Sequence, residues 1–397
     1  MKTAEKPSIL FYNFGAKFGG AEIVLLKYLE KPSQYFDFKV LLNEQGTFYD
    51  ELIKSGISVE VIGTQADLFY AVRRGDSLSL NLFKLIPAVI QLFYRVVRYF
   101  KKNNFDLVVS NTYKSHIILG LAAKFFKVKA VWRFHDIVQR EYTFNQFSWF
   151  NIKLMKYLVS SITKILSVSQ AVTDSFLDFG FDPAKFAVVH NGLDTIKGRS
   201  NDGSRNLNQL NIGWIGQFAA WKGIEEFIRL CKALIDQKDN IQPDFQFVIA
   251  GSALFGNESY EKQIEEMVEG SYKATFTFLG HVSDSDAFYQ RIDIYFHTSI
   301  APDPFPTTVL EAGSRGLLVF ASELGGAREI VNDDVTGFLI NMRDENTTLK
   351  KTIEVLNNFE KHRGKGAKLQ ARINDELSLV QYRAHFEAEI LKAIQAS

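Results

Sequence analysis

Strand-length apolar runs alternate with helix-patterned segments twice over in this chain, and that alternation limits the fold more than any other feature. In the first half the runs SILFYNF, FDFKVLLN, VEVIG, FDLVVSN, KAVWRF and ITKILSVS are each followed by a polar turn or a helical pattern. Such runs, separated by helices, mark a parallel sheet covered on both faces. The stretch TIKGRSNDGSRNLNQ, residues 195–209, has almost no apolar content and reads as a linker. The pattern then restarts with LNIGWIG, FQFVIAG, TFTFLG, DIYFHTS, LLVFAS and GFLI. A chain of 397 residues that is 46% apolar has the material for two cores. We therefore expect an α/β chain of two Rossmann-like, doubly wound domains, 1–194 and 210–375. A helical segment over 376–397 follows, and whether it crosses back to the first domain stays open. Ligands of such sheets bind outside the carboxyl ends of the strands, so the expected site lies in the cleft between the halves.

Charge and cysteine content remove several function classes. The 46 basic residues are matched by 45 acidic ones, leaving no global field to gather nucleic acid. Cys231 is the sole cysteine, which excludes an intrachain disulfide framework, and it reads as a small core residue on a helix. The opening MKTAEKPSILFYNF carries an apolar run too short for a signal-peptide core. A cytoplasmic protein is the expectation.

Three loop-to-helix junctions carry candidate chemistry. NFGAKFGGAE follows the first strand, and Gly15, Gly19 and Gly20 there are expected to let the backbone turn tightly and approach a ligand at a helix N-terminus. Ile23, Leu26 and Leu29 are expected on one apolar face of that helix. The spacing is not GxGxxG, so a nicotinamide dinucleotide is not indicated. IGQFAAWKG repeats the logic in the second half: a strand ends near Gly216, and Lys222 beside Gly223 is either a solvated surface lysine or a point charge for a diphosphate. In APDPFPTTVLEA, Pro304 and Pro306 hold the chain extended before a helix that Thr307 or Thr308 can cap. Glu311 is then expected in the first turn, kept ionised by the helix dipole, with Asp303 facing the cleft from the loop. SDSD, residues 283–286, sits between a strand and a helix and reads as capping, not as a metal motif.

Taken in order, GGAE (19–22), HD (135–136), VSQAVTDSF, VVHNGLD, GWIGQFAAWKG, FLGHV, DPFPTTVLEA and GGAREIV resemble the motifs of GT-B glycosyltransferases of the large retaining GT4-type family. The resemblance implies a nucleotide-diphosphate sugar, UDP-, GDP- or ADP-linked, bound by the C-terminal domain and a glycan or lipid-linked acceptor bound by the N-terminal one. No further cofactor and no metal are implied. By matching position, Glu311 would hold the ribose hydroxyls and Asp303 would contact the sugar. Lys222 would neutralise the diphosphate, with Gly216, Gln217, Thr307 and Thr308 around it. His135 would hydrogen-bond the donor sugar. Backbone at Gly280 to Val282 would read the base, and Gly15, Gly19, Gly20 and Glu22 would form the acceptor or phosphate loop. Retention would follow from same-face attack with no enzyme nucleophile.

Two positions depart from the family pattern. Gln217 stands where an arginine is usual, and Asp303 where a glutamate is usual, shorter by one methylene. They keep two other readings open: a catalytically silent GT-B partner or sugar-binding subunit, and a GT-B-fold nucleotide-sugar epimerase. Residues 81–102, NLFKLIPAVIQLFYRVVRYFKK, combine helical apolar spacing with five basic residues and no acid. That run reads either as a helix packed on the sheet or as a peripheral contact with the inner face of a membrane.

Overall fold

The computed structural model describes residues 6–15, 19–63, 78–138, 149–194, 209–253 and 258–396. The chain divides into two compact units, Met1–His190 with Tyr382–Ser397, and Asn191–Gln381.

The sheet of the first unit contains β1 (Ser8–Asn13), β2 (Asp37–Leu42), β3 (Val59–Val61), β4 (Leu107–Ser110), β5 (Ala130–Phe134), β6 (Lys164–Ser167) and β7 (Phe186–Val188). Its order is β3-β2-β1-β4-β5-β6-β7, with every pairing parallel. The second unit contains β8 (Gln209–Ile215), β9 (Asp244–Ala250), β10 (Phe276–Phe278), β11 (Ile294–His297), β12 (Leu318–Ser322) and β13 (Phe338–Ile340). These order as β10-β9-β8-β11-β12-β13, again all parallel. Central strands such as Ile9 to Tyr12 and Phe247 to Ala250 are buried residue after residue, as a sheet covered on both faces requires. Strand order reverses between β1 and β4 in one sheet and between β8 and β11 in the other. Each reversal leaves an open crevice at the carboxyl ends.

Several boundaries differ from the expectation. β7, Phe186–Val188, is a strand that the expected runs do not include. Gln209 belongs to β8, paired with Asp244, and not to a linker; residues 195–208 lie outside the described residues. Leu193 joins the second unit, because its amide and carbonyl bond to Leu377 and Leu379. The final segment breaks at Leu377–Ser378, between the helices Gly364–Glu376 and Leu379–Gln395, so 376–397 is not one element. From Tyr382 on, the last helix belongs to the first unit. There Phe386 packs on Phe11 and Tyr28, and the fully buried Arg133 guanidinium lies 5.1 and 5.2 Å from the Tyr382 and Phe386 rings.

The helix Leu78–Asn103 buries Leu92, Val96, Val97 and Phe100, the last against Tyr12 of β1. In the helix Gly20–Leu29, Leu26 and Leu29 are buried, but Ile23 is 43% exposed. The inward face there is instead completed by Val24, Leu25 and Tyr28. Cys231 is fully buried in the helix Ile224–Asp236.

Candidate functional site

In the second unit the site residues stand at the β8/β11 reversal. Beyond β8, the short turn Ala220–Lys222 ends at Gly223, whose φ of 71° is left-handed and whose Cβ would lie 1.9 Å from the Thr298 carbonyl oxygen. Thr298 accepts from Trp214 Nε1 and donates to the Gly223 carbonyl, so the chain carrying Lys222 lies directly on the end of β11. We expect Gly223→Ala to lose at least about 2 kcal/mol of stability, from strained φ and the clash together, as read from urea unfolding.

That contact brings Lys222 Nζ to 2.5 Å from Asp303 Oδ2. Asp303 is only 5% exposed. Its backbone bridges to Gly325 and accepts from the Gly326 amide. A Cβ on Gly325 would come within 2.3 Å of the Asp303 carbonyl oxygen. His297 Nε2 lies 3.5 Å from the same Asp303 oxygen and 3.0 Å from Ser299 Oγ. Burial alone would push the Asp303 carboxyl up, but the Lys222 charge and the hydrogen bonds of His297 and Lys222 hold it well below the usual range. Burial pulls His297 down, which keeps it uncharged at neutral pH.

The helix Thr307–Ser314 starts from Pro306, whose carbonyl accepts from Val309 and Leu310. Neither Thr307 nor Thr308 caps it: both are inside the helix, with amides that precede its internal hydrogen bonds. Glu311 consequently falls in the second turn, not the first, where the dipole no longer governs it. Burial pushes its carboxyl up, opposed by the Ser285 hydrogen bond of 3.1 Å to Oε2 and by the Arg315 charge. Arg315 is 8% exposed; it donates to the Glu311 carbonyl at 2.7 Å, pairs with Asp286 and covers the Tyr289 ring at 4.6 Å. Tyr289 in turn donates to the Thr308 carbonyl. Asp284 does cap the helix Ser285–Tyr289. The reading of SDSD nevertheless missed that Ser285 and Asp286 reach Glu311 and Arg315. The spacing of Glu311 and Arg315, i to i+4, was the one available signal. Of the other expected donor residues, Gly216 donates its amide to Ala250, Gln217 is exposed and Val282 is half-buried.

In the first unit the candidates collect at the β1/β4 reversal. Buried Asn13, ending β1, donates to the Gly15 carbonyl at 2.8 Å and to Glu22 Oε1 at 3.1 Å. Glu22 Oε2 accepts from the Gly19 amide at 3.2 Å. Burial pushes the Glu22 carboxyl up, and these hydrogen bonds offset part of that. None of Gly15, Gly19 and Gly20 has a positive φ, and a Cβ on Gly15 or Gly20 would meet nothing within 4 Å; residues 16–18 of the expected turn lie outside the described residues. Gly19 alone is constrained, because Glu22 folds over it to 3.0 Å from where a Cβ would sit.

His135 follows β5 and is half-buried. Its Nε2 lies 2.9 Å from Asn111 Oδ1, and Asn111 Nδ2 donates to the Ala21 carbonyl. That second bond fixes the amide orientation, so Nε2 carries the proton and Nδ1 is left as an acceptor. Burial, with Arg133 and His116 nearby, pushes His135 well below its ordinary value and leaves it neutral. Asn111, which sequence reasoning did not single out, thus ties His135 to the start of the glycine-loop helix. Among the described residues no three His, Cys, Asp or Glu side chains come together to hold a metal ion.

Two parallel doubly wound sheets, each with polar and charged side chains gathered at the carboxyl ends beside its reversal, define a GT-B-type protein. The chain superposes on HepE of Anabaena crystallised with UDP, at a TM-score of 0.79 and 23% identity, covering 97% of this chain and 100% of that one. The same protein with UDP-glucose gives 0.78 and 24%, covering 97% and 99%. Residues 200–370 match the family profile of glycosyl transferases group 1, and residues 47–197 that of glycosyltransferase family 4. The chain belongs to this glycosyltransferase family. It is 24% identical over 325 residues, 76% of the chain and 80% of the relative, to an uncharacterized glycosyltransferase of Methanocaldococcus jannaschii. It is also 23% identical over 339 residues, 82% and 81%, to the UDP-Gal:alpha-D-GlcNAc-diphosphoundecaprenol alpha-1,3-galactosyltransferase of Escherichia coli.

Proposed function

We propose that this glycosyltransferase is a retaining, metal-independent enzyme that moves a sugar from a nucleotide-diphosphate sugar to a glycan or lipid-linked acceptor in cell-surface polysaccharide synthesis. The observation that carries this reading is the Lys222–Asp303 pair at the β8/β11 reversal, next in the chain to the helix that presents Glu311. Glu311 accepts from the ribose hydroxyls. Lys222 and the Thr307 and Thr308 amides take the diphosphate, beside Gly216 and Gln217, and backbone around Val282 reads the base. His135 offers Nδ1 to a sugar hydroxyl, and Glu22 with Gly15, Gly19 and Gly20 holds the acceptor.

In the transfer, the bond from the anomeric carbon to the diphosphate oxygen breaks and the acceptor oxygen bonds to the same face of that carbon. The acceptor's proton passes to the leaving diphosphate. Charge builds on the diphosphate, where a lysine and helix-start amides stabilise it in place before the reaction. Asp303 is ion-paired and strongly acidic, which makes it a poor nucleophile and base; its role in this reading is to aim Lys222 and accept from a sugar hydroxyl. The names of the Escherichia coli relative and of the HepE complexes support uridine as the first nucleotide to try.

The test is the thermal midpoint of the protein against UDP, GDP, ADP, CMP and dTDP, with and without Mg²⁺. A nucleotide at about 100 times its Kd stabilises the native state by roughly 2.7 kcal/mol, and one nucleotide is expected to do so without metal. NMR of the product from the matching nucleotide sugar then reports the anomer. A response to none of the five, or an inverted product, overturns the reading.

A further inference from the structure

Three helices of the first unit, Leu78–Asn103, Tyr113–Phe126 and Trp149–Val159, contain no aspartate or glutamate. They carry Lys84, Arg95, Arg98, Lys101, Lys102, Lys114, Lys124, Lys153 and Lys156, nine of the 46 basic residues in a chain that has 45 acidic ones. Right-handed crossovers leading to β4, β5 and β6, which step the same way across the sheet, put the three on one face of it. Side chains join them: Phe93 meets Phe126, Lys101 Nζ lies 4.6 Å over the Phe126 ring, and Lys124 lies 4.8 Å over Tyr157 and bonds Ser160.

Their inward sides are accounted for by Val96, Phe100, Leu119, Met155 and Leu158, all buried. Their outward sides are not. Five of the ten exposed large hydrophobics among the described residues stand there: Ile90, Tyr94, Phe125, Phe126 and Tyr157, the first three more than 60% exposed. Exposed Arg98, Lys101 and Lys102 lie on the same helix as Ile90 and Tyr94, and exposed Lys127 follows Phe126.

We propose that this face seats the first unit on an anionic phospholipid bilayer. Aromatic rings and aliphatic tips fit the boundary between headgroups and acyl chains, while lysine and arginine heads reach lipid phosphates and are met by no acid from these helices. A bilayer takes such a face without the fixed shape complementarity that a folded acidic partner needs. No helix among the described residues is long and apolar enough to cross a membrane, so the contact is peripheral. The proposal is independent of the donor-site reading.

The full chain is sedimented with vesicles of phosphatidylcholine alone and of phosphatidylcholine with phosphatidylglycerol, over a salt series. Binding is expected only to the second type, weakening as salt rises. Each basic residue near such a surface is worth about five-fold in affinity, so Arg98→Glu/Lys101→Glu/Lys102→Glu is expected to lose more than about 100-fold. Tyr94→Ser/Phe125→Ser should lower affinity while leaving the salt dependence intact. Lys238→Glu/Lys262→Glu, in the second unit, should change nothing, and circular dichroism checks the fold of each variant. Equal binding to both vesicle types overturns the proposal, as does binding to neither. Capture by soluble polyglutamate in place of vesicles overturns it in favour of an acidic protein partner. The wild-type comparison decides even where a variant fails to fold.

Discussion

Glu311→Gln is expected to weaken nucleotide binding by about 10- to 100-fold, the worth of roughly 1.5–3 kcal/mol for hydrogen bonds to a charged group, while leaving the second unit as stable as the parent or more so. The two effects have one cause. Glu311 is held among Ser285, Tyr289 and Arg315 with its carboxyl pushed above the ordinary value by burial, so its ionised form costs stability in the absence of a ligand diol. The sign follows from linkage: with the folded pKa above the unfolded value of about 4.3, that cost is present at neutral pH and fades as pH falls through the folded pKa. Parent and Glu311→Gln should therefore differ most near neutrality and converge in acid. Titration calorimetry and thermal midpoints across pH measure both quantities. Undiminished nucleotide affinity in the variant would remove Glu311 from the donor site.

Lys222→Met should behave in the opposite sense. It leaves Asp303 buried with its main charge partner gone, and breaking such a pair costs about 3–5 kcal/mol. In the parent, the folded Asp303 pKa lies below the unfolded value of about 3.9, so the pair's contribution is complete above that value and is lost as pH falls towards the folded one. In Lys222→Met burial is left in command, the carboxyl rises, and acidification stabilises the protein. A reversed pH slope is thus the expected signature, read by urea unfolding and by hydrogen exchange in β8 and β11. Lys222→Met/Asp303→Asn should recover most of the stability and none of the transferase activity. If Lys222→Met keeps the parent's slope, the two side chains are not coupled in the way the 2.5 Å contact requires.

The strands were legible because their apolar runs are bounded by turns, down to the three-residue β3, β10 and β13; β7, equally short, was not among those read. The site was legible residue by residue but not as an arrangement. Lys222 and Asp303 are 81 positions apart, and no local pattern says that a left-handed glycine at 223 lays one strand end on the other. The error at Glu311 was local: proline, not threonine, starts the helix, and that moves the acid one turn inward and turns an expected stabilised carboxylate into a strained one. Of the three glycines after β1, Gly15 and Gly20 border open space, which leaves room for a ligand, and Glu22 folds over Gly19. His297, Asn111 and Ser285 carried no spacing signal, since each acts through a partner brought to it by the fold.

The last helix has a consequence for how the protein is made. Phe11 and Tyr28, near the start of the chain, are covered by Phe386, and the buried charge of Arg133 has Tyr382 and Phe386 as its ring partners. At about 5–20 residues per second, a ribosome that has passed His190 needs on the order of ten to forty seconds to reach Tyr382. Through that interval the first unit waits with part of its interior uncapped, whereas the second, contiguous from Asn191 to Gln381, has all its own residues first. The half begun earlier is the half finished last, and a nascent chain halted before Tyr382 presents a bare aromatic seam and an arginine without its ring partners, features that a chaperone recognises and a completed chain conceals.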